Sequence, residues 1–239
     1  MIIIGGSSPA VGEWGPEGIV THGGLGQYLK ESGKEVINLG QPGQPDDVYF
    51  RILQNFIQYN QQIKVDKIIF FQSSWLDNFI EGEPIDGDYR KELVEGGFNH
   101  FADYCMSSLY YKLSQLGLRY NIPIYLVGTV TDTLWLDRFT EEYPMVTVAC
   151  QSFVNLIINQ NPRIDRPIRT LLHRGSEDII KTLRNITPNI ESIVNALDEF
   201  DVRRQVIYSH PEFFRESKWH INRHGHKILF DFLTEHYQI

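Results

Sequence analysis

The chain predicts an α/β protein with three α/β/α layers around a mostly parallel sheet of about five strands. Three observations predict it. Short apolar runs, Ile2 to Ile4 and Lys67 to Phe71, have the composition of strands buried on both faces. Segments with apolar residues at helical spacing lie between them. The two kinds of segment alternate from the N-terminus as β-α-β-α-β-α-β, and right-handed crossovers between parallel strands then put helices on both faces of the sheet.

Taken in order, Ile2 to Ile4 runs into the tight turn Gly5-Gly6-Ser7-Ser8. Leu25 to Ser32 reads as a helix stopped by Gly33, and Val36 to Leu39 as a strand closed by Gly40-Gln41-Pro42-Gly43. Asp46 or Asp47 is expected to cap a helix that carries Val48, Ile52, Leu53, Phe56 and Ile57 on one face. After the strand Lys67 to Phe71, a loop rich in Gly, Asp and Pro spans residues 76 to 92, and a long helix runs from Phe98 to Tyr120. Pro123 to Val127 is a fourth strand. Val146 to Ile158 reads both ways, its early half as strand and its later half as helix. Residues 175 to 200 carry two helical patterns separated by Pro188, and Gly225 to Tyr237 is an amphipathic closing helix. With no internal repeat, low-complexity tract or linker, residues 1–239 are expected to form a single domain.

Composition narrows the function classes. The 239 residues are 42% hydrophobic and 22% charged, with 22 basic against 30 acidic side chains and a net charge of −8. That balance argues against broad nucleic-acid or anionic-membrane binding, both of which need clustered Lys and Arg. The N-terminus reads as a first strand and not as a signal peptide, and no stretch approaches the ~18 apolar residues of a membrane span. A soluble, cytoplasmic protein is the expectation, with Cys105 and Cys150 as buried, reduced thiols and no disulfide framework.

In an open parallel sheet, ligands bind beyond the carboxyl ends of the strands. The turns there are Gly6-Ser7-Ser8-Pro9-Ala10-Val11-Gly12-Glu13-Trp14 after the first strand, Asn38-Leu39-Gly40-Gln41-Pro42-Gly43 after the second, and Gln72-Ser73-Ser74-Trp75 after the third. Near the other end of the chain stands Ser217-Lys218-Trp219-His220-Ile221-Asn222-Arg223-His224-Gly225-His226. A serine on a sharp strand-to-helix turn presents its hydroxyl outward and leaves nearby amides able to bind an oxyanion. A histidine brought to the same rim supplies a base that titrates near neutrality. The competing reading is that Ser7 and Ser8 merely cap the next helix or bond the turn.

This order of blocks resembles the SGNH (GDSL-type) hydrolase superfamily, whose blocks run Gly-Asp-Ser, Asn-x-Gly-x-x-Gly, Gly-x-Asn-Asp and Asp-x-x-His-x-Asn-x-x-Gly-His. The resemblance covers both ends of the chain and the strands between, and leaves roughly residues 76 to 215 without a motif. It implies a three-layer α/β/α flavodoxin-like fold, Ser8 as nucleophile and His220 as base. It also implies an oxyanion hole from the Ser8 and Gly43 amides, with Ser74 in the place of the usual Asn. Ser7 stands for the usual Asp of the first block, and Ser217 for the triad Asp. Glu216, beside Ser217, is the candidate acid to support His220. No cofactor is implied. The expected substrate is a small-molecule or carbohydrate ester, such as an O-acyl or O-acetyl group. Missing support for the dyad suits a second reading, a catalytically impaired module with protein assembly partners.

Other signals are weaker. Trp14, Trp75 and Trp219 flank the candidate segments and, with Asn222, are candidate substrate-binding residues, the tryptophans fitting equally a role in packing under the loops; Trp135, after the fourth strand, is a candidate for the pocket wall. His220, His224 and His226, with His210 nearby, lack a His-Glu-x-x-His pattern, and Gly225 is expected to start or break the helix between them, so no metal site is expected. His22-Gly23-Gly24-Leu25-Gly26 lacks the Walker lysine and the dinucleotide spacing and reads as a loop entering a helix.

Overall fold

The computed structural model describes residues 1–15, 17–73, 98–129, 143–153, 156–157, 210–214 and 220–239. The expected loop at 76 to 92 and the helical patterns at 175 to 200 lie outside them. Within them, strands β1 (Ile2–Gly6), β4 (Val36–Asn38), β5 (Lys67–Phe71), β6 (Ile124–Val127) and β7 (Val146–Cys150) form one sheet in the order β4-β1-β5-β6-β7. All four neighbouring pairs are parallel. The early half of the ambiguous segment is therefore the fifth strand, and Phe153, Leu156 and Ile157 just beyond it are helical.

Burial explains why the central strands are so apolar. Ile3, Ile68, Phe70, Ile124 and Leu126 face one side and pack with Tyr49, Leu53 and Ile57 of helix α3 (Asp46–Tyr59) and Leu109, Tyr110 and Leu113 of helix α4 (Phe98–Tyr120). The alternate residue Ile4 faces helix α2 (Gly24–Glu31), which in turn packs against helix α5 (Arg223–Tyr237). Ile68 through Phe71 have no exposed surface, as a strand covered on both faces requires.

Three local expectations change. Pro45, not an aspartate, is the N-cap of α3; Asp46 and Asp47 lie in its first turn. Helix α5 starts at Arg223 and runs unbroken through Gly225, because Asn222 caps it one turn earlier. A two-stranded antiparallel ribbon, β2 (Glu13–Trp14) with β3 (Val20–His22), follows the short helix α1 (Ser8–Val11), where no strand is expected. Among the described residues no helix is long and apolar enough to cross a membrane.

Candidate active site

The site is built on the end of β1. Gly6 has φ +106, and a Cβ there would lie 2.0 Å from the Phe71 carbonyl oxygen, so glycine lets β1 and β5 stay in register up to the turn. The ladder continues one residue further, with the Ser7 amide donating to Phe71 O at 3.0 Å. Ser7 is then the extended N-cap of α1, makes no side-chain cap bond, and hands the chain to Ser8 as first helical residue with Pro9 behind it. Ser8 does not spend its hydroxyl on the turn. Its Oγ lies 2.9 Å from His220 Nε2, a contact spanning 212 residues of sequence.

Trp14 frames that pair. Its indole Nε1–H donates to Ser8 O at 3.2 Å, and its ring stacks on His220 with centroids 5.9 Å apart and an interplanar angle of 30°. The side chain is half-buried, so it is part wall and part brace. Ser74, Trp75, Trp135, Glu216 and Trp219 lie outside the described residues.

The turn after β4 is fastened to the Ser8 turn. Asn38 Nδ2 donates to Ala10 O at 2.6 Å, and the Gly40 amide donates to Asn38 Oδ1 at 2.9 Å. A Cβ on Gly40 would lie 2.6 Å from that of Ala10, so this glycine allows the two turns to touch. The Gln41 amide goes to Gly6 O and the Gln44 amide to the Tyr49 hydroxyl. Pro42 has no amide proton, which leaves Gly43, exposed at φ +69, as the amide of this turn not committed to those bonds.

Two buried carboxylates, neither expected at the site, hold the rim. Asp46 is 3% exposed, and its Oδ1 accepts the Ser73 amide at 2.9 Å, fixing the turn after β5. Glu13, 4% exposed, binds the backbone and side chain of Arg223. Nothing in the sequence around either one marks it as buried.

Asn222, expected at the substrate, is used otherwise. Its Oδ1 accepts the amides of His224 and Gly225, and its Nδ2 donates to Glu212 O at 2.8 Å, so both ends of the side chain build the start of α5. The histidines around it have separate surroundings. His210 bonds Glu212, His224 is exposed, and His226 is buried against Gly24, where a Cβ would lie 2.8 Å from its ring. Among the described residues no group of three or more His, Cys, Asp or Glu is placed to hold a metal.

Burial lowers His226 from the ordinary 6.5 to about 3; the neighbouring His22 acts in the same direction, and the Gly12 carbonyl and Glu13 oppose it. Unfolded His226 therefore takes up a proton near pH 6.5, while folded His226 stays neutral to about pH 3. Between those values the unfolded state binds more protons, so this residue's contribution to stability is full above pH 6.5 and falls as the pH falls, by ~1.4 kcal/mol per pH unit. Urea midpoints at pH 7.5 and 5.0 are expected to fall further for the wild type than for His226→Leu, by about 2 kcal/mol after multiplication by m. Parallel falls in the two proteins would refute a neutral, buried His226.

His22 is held low by burial and by the Arg223 charge, and its Nδ1 accepts the Gly24 amide at 3.0 Å. The neutral ring therefore carries its proton on Nε2.

No protein-family model and no curated protein matches the chain. Among solved structures, a lipase/acylhydrolase from Enterococcus faecalis is similar at 13% identity and TM-score 0.41, over 98% of this chain and 93% of that one. AlinE4, an SGNH-hydrolase family esterase, is similar at 16% identity and TM-score 0.42, over 82% of this chain and 95% of that one.

Proposed function

We propose that the chain is a divergent SGNH-type serine hydrolase that cleaves a small-molecule or carbohydrate ester, within one domain spanning residues 1–239. One observation carries this reading: Ser8 Oγ and His220 Nε2, from opposite ends of the sequence, meet at 2.9 Å on the carboxyl rim of a parallel sheet. Ser8 Oγ attacks the ester carbonyl while its proton passes to His220 Nε2. The C–O bond to the alcohol then breaks, and His220 returns the proton to the leaving alkoxide. Water, deprotonated by His220, attacks the acyl-Ser8 carbonyl and releases the acid and free Ser8.

The negative oxygen of each tetrahedral intermediate needs donors aimed at it. The Ser8 amide lies in the first turn of α1, where amides have no acceptor within the helix. Gly43 is the second donor, a choice supported by the commitments of the Gly40, Gln41 and Gln44 amides. Ser74 is assigned the third place and Glu216 the support of His220, both on the resemblance of the blocks. Trp14, with Trp75 and Trp219, offers an aromatic wall to the substrate. The reaction draws on no cofactor.

Labelling by a fluorophosphonate probe, together with p-nitrophenyl acetate turnover, tests the proposal. Labelling at Ser8 that disappears in Ser8→Ala supports it. A folded wild type that neither labels nor turns over would overturn it and leave the fold as a binding module.

A further inference from the structure

We propose that Glu13 is a positioning residue that keeps His220 in register with Ser8 by tying the first turn of α5 to the nucleophile's side of the fold, a role that rests on the hydrolase reading above. Glu13 lies in β2, directly after the nucleophile helix and beside Trp14. Its side chain is 5% exposed, and a single oxygen, Oε2, accepts the Arg223 backbone amide at 3.1 Å and Arg223 Nε at 3.0 Å. Burying a carboxylate is costly unless it is paired and hydrogen-bonded, and both conditions are met by this one residue.

Arg223 is the first residue of α5 and follows closely on His220. The first amides of a helix have no acceptor within it and must find one elsewhere. Asn222 supplies one for His224 and Gly225, but Asn222 belongs to the same segment as His220 and moves with it. Glu13 supplies the acceptor for Arg223 from across the site. The contacts form a closed circuit. It runs from Ser8 along the chain to Glu13, across to Arg223, back along the chain to His220, and across 2.9 Å to Ser8 again. Trp14 spans the middle of the circuit, bonded to Ser8 O and stacked on His220. With Glu13 in place, His220 is located by more than its own contact with Ser8.

The test compares the full-length wild type with Glu13→Ala and Glu13→Gln. Four quantities are measured: kcat and KM for p-nitrophenyl acetate per folded molecule, the urea midpoint, and the His220 Cε1–H resonance, which the Trp14 ring current shifts. Glu13→Ala is expected to lower kcat by about 10- to 100-fold with KM within about twofold, as a base misplaced by an ångström would. The His220 resonance is expected to move toward its unstacked position. Glu13→Gln keeps an acceptor oxygen for the Arg223 amide and is expected to recover most of both signals. A Glu13→Ala protein with a lower urea midpoint but wild-type kcat and an unmoved His220 resonance would overturn the proposal, since the residue would then be purely structural.

Failure of the hydrolase reading is visible separately, as a wild type that neither turns over nor labels. The resonance then decides alone: unmoved, it overturns positioning, and moved, it upholds the circuit without the chemistry. Should Glu13→Ala not fold, Glu13→Gln and Arg223→Ala take its place. Arg223→Ala removes the side-chain donor but keeps the amide, so a partial shift in kcat and in the resonance is expected. Wild-type kcat and an unmoved resonance in Arg223→Ala would overturn the proposal.

Discussion

Replacing Ser8 by alanine is expected to take ester turnover down by about 10²-fold or more, with His220→Ala close behind, as residues that act as one unit do. The size of the fall carries information of its own. In intact serine triads, loss of the nucleophile or the base costs about 10⁶ in turnover, and loss of the supporting carboxylate function costs about 10⁴. An unsupported Ser–His pair therefore stands only about 10² above its own Ser8→Ala variant. A ratio of about 10⁴ or more would mean that a carboxylate such as Glu216 reaches the imidazole. The measurement is kcat for p-nitrophenyl acetate on wild type and both variants purified in the same way, with fluorophosphonate labelling as the active-site count. Equal rates in wild type and both variants would remove Ser8 and His220 from the chemistry.

Gly6→Ala is expected to be among the most damaging single substitutions to stability. The new Cβ would lie 2.0 Å from Phe71 O and 2.8 Å from Phe71 C and N, all backbone atoms of the central strand. No side chain can swing aside, so β1 and β5 must separate or the turn must rebuild. The expected loss is about 4 kcal/mol or more, large against a typical total of 5–15 kcal/mol. For a protein of this size that corresponds to a fall in Tm of roughly 8–16 °C. Gly33→Ala is the control: Gly33 also has positive φ, +84, but nothing lies within 4 Å of its would-be Cβ. It is expected to lose only the backbone preference, about 1 kcal/mol. Thermal melts of the two variants falling together would show that the contact at Phe71 is not the cause.

What the sequence made legible follows from where each residue gets its partners. Ile68 to Phe71 is readable because burial on both faces removes every polar residue from the run. Val146 to Cys150 is harder, since Thr147 and Val148 are only partly covered and, among the described residues, the strand pairs on one side, with β6. The β2–β3 ribbon is invisible to periodicity: Glu13–Trp14 is two residues long, and its register shifts between them. In the site, Ser8 and His220 stand in ordered blocks that can be recognised one at a time. Glu13 and Asp46 cannot, because a carboxylate looks the same in sequence whether solvated or buried. Their burial is decided by partners 210 and 27 residues away, Arg223 and Ser73. Asn222 was recognisable as part of a block, but its duty as a helix cap depends on a helix starting at Arg223 rather than at Gly225.

The distance in sequence between Ser8 and His220 also sets a timetable. β1 can pair with β4 and β5 once the first 71 residues are available, so the Ser8 turn can be in place early. Its partner His220 is encoded 212 residues later. At ~5–20 residues per second, a nascent chain spends about 10–40 s between emergence of the two. During that interval Ser8 is an ordinary alcohol on an unfinished sheet, and the Trp14 face waits uncovered for the segment that will stack on it. Closing so long a loop is slow compared with the local pairings around it. On the proposed hydrolase reading, chemical competence therefore arrives last, as a by-product of docking α5, and a ribosome-bound chain lacking that helix is expected to be chemically silent however well its sheet has formed.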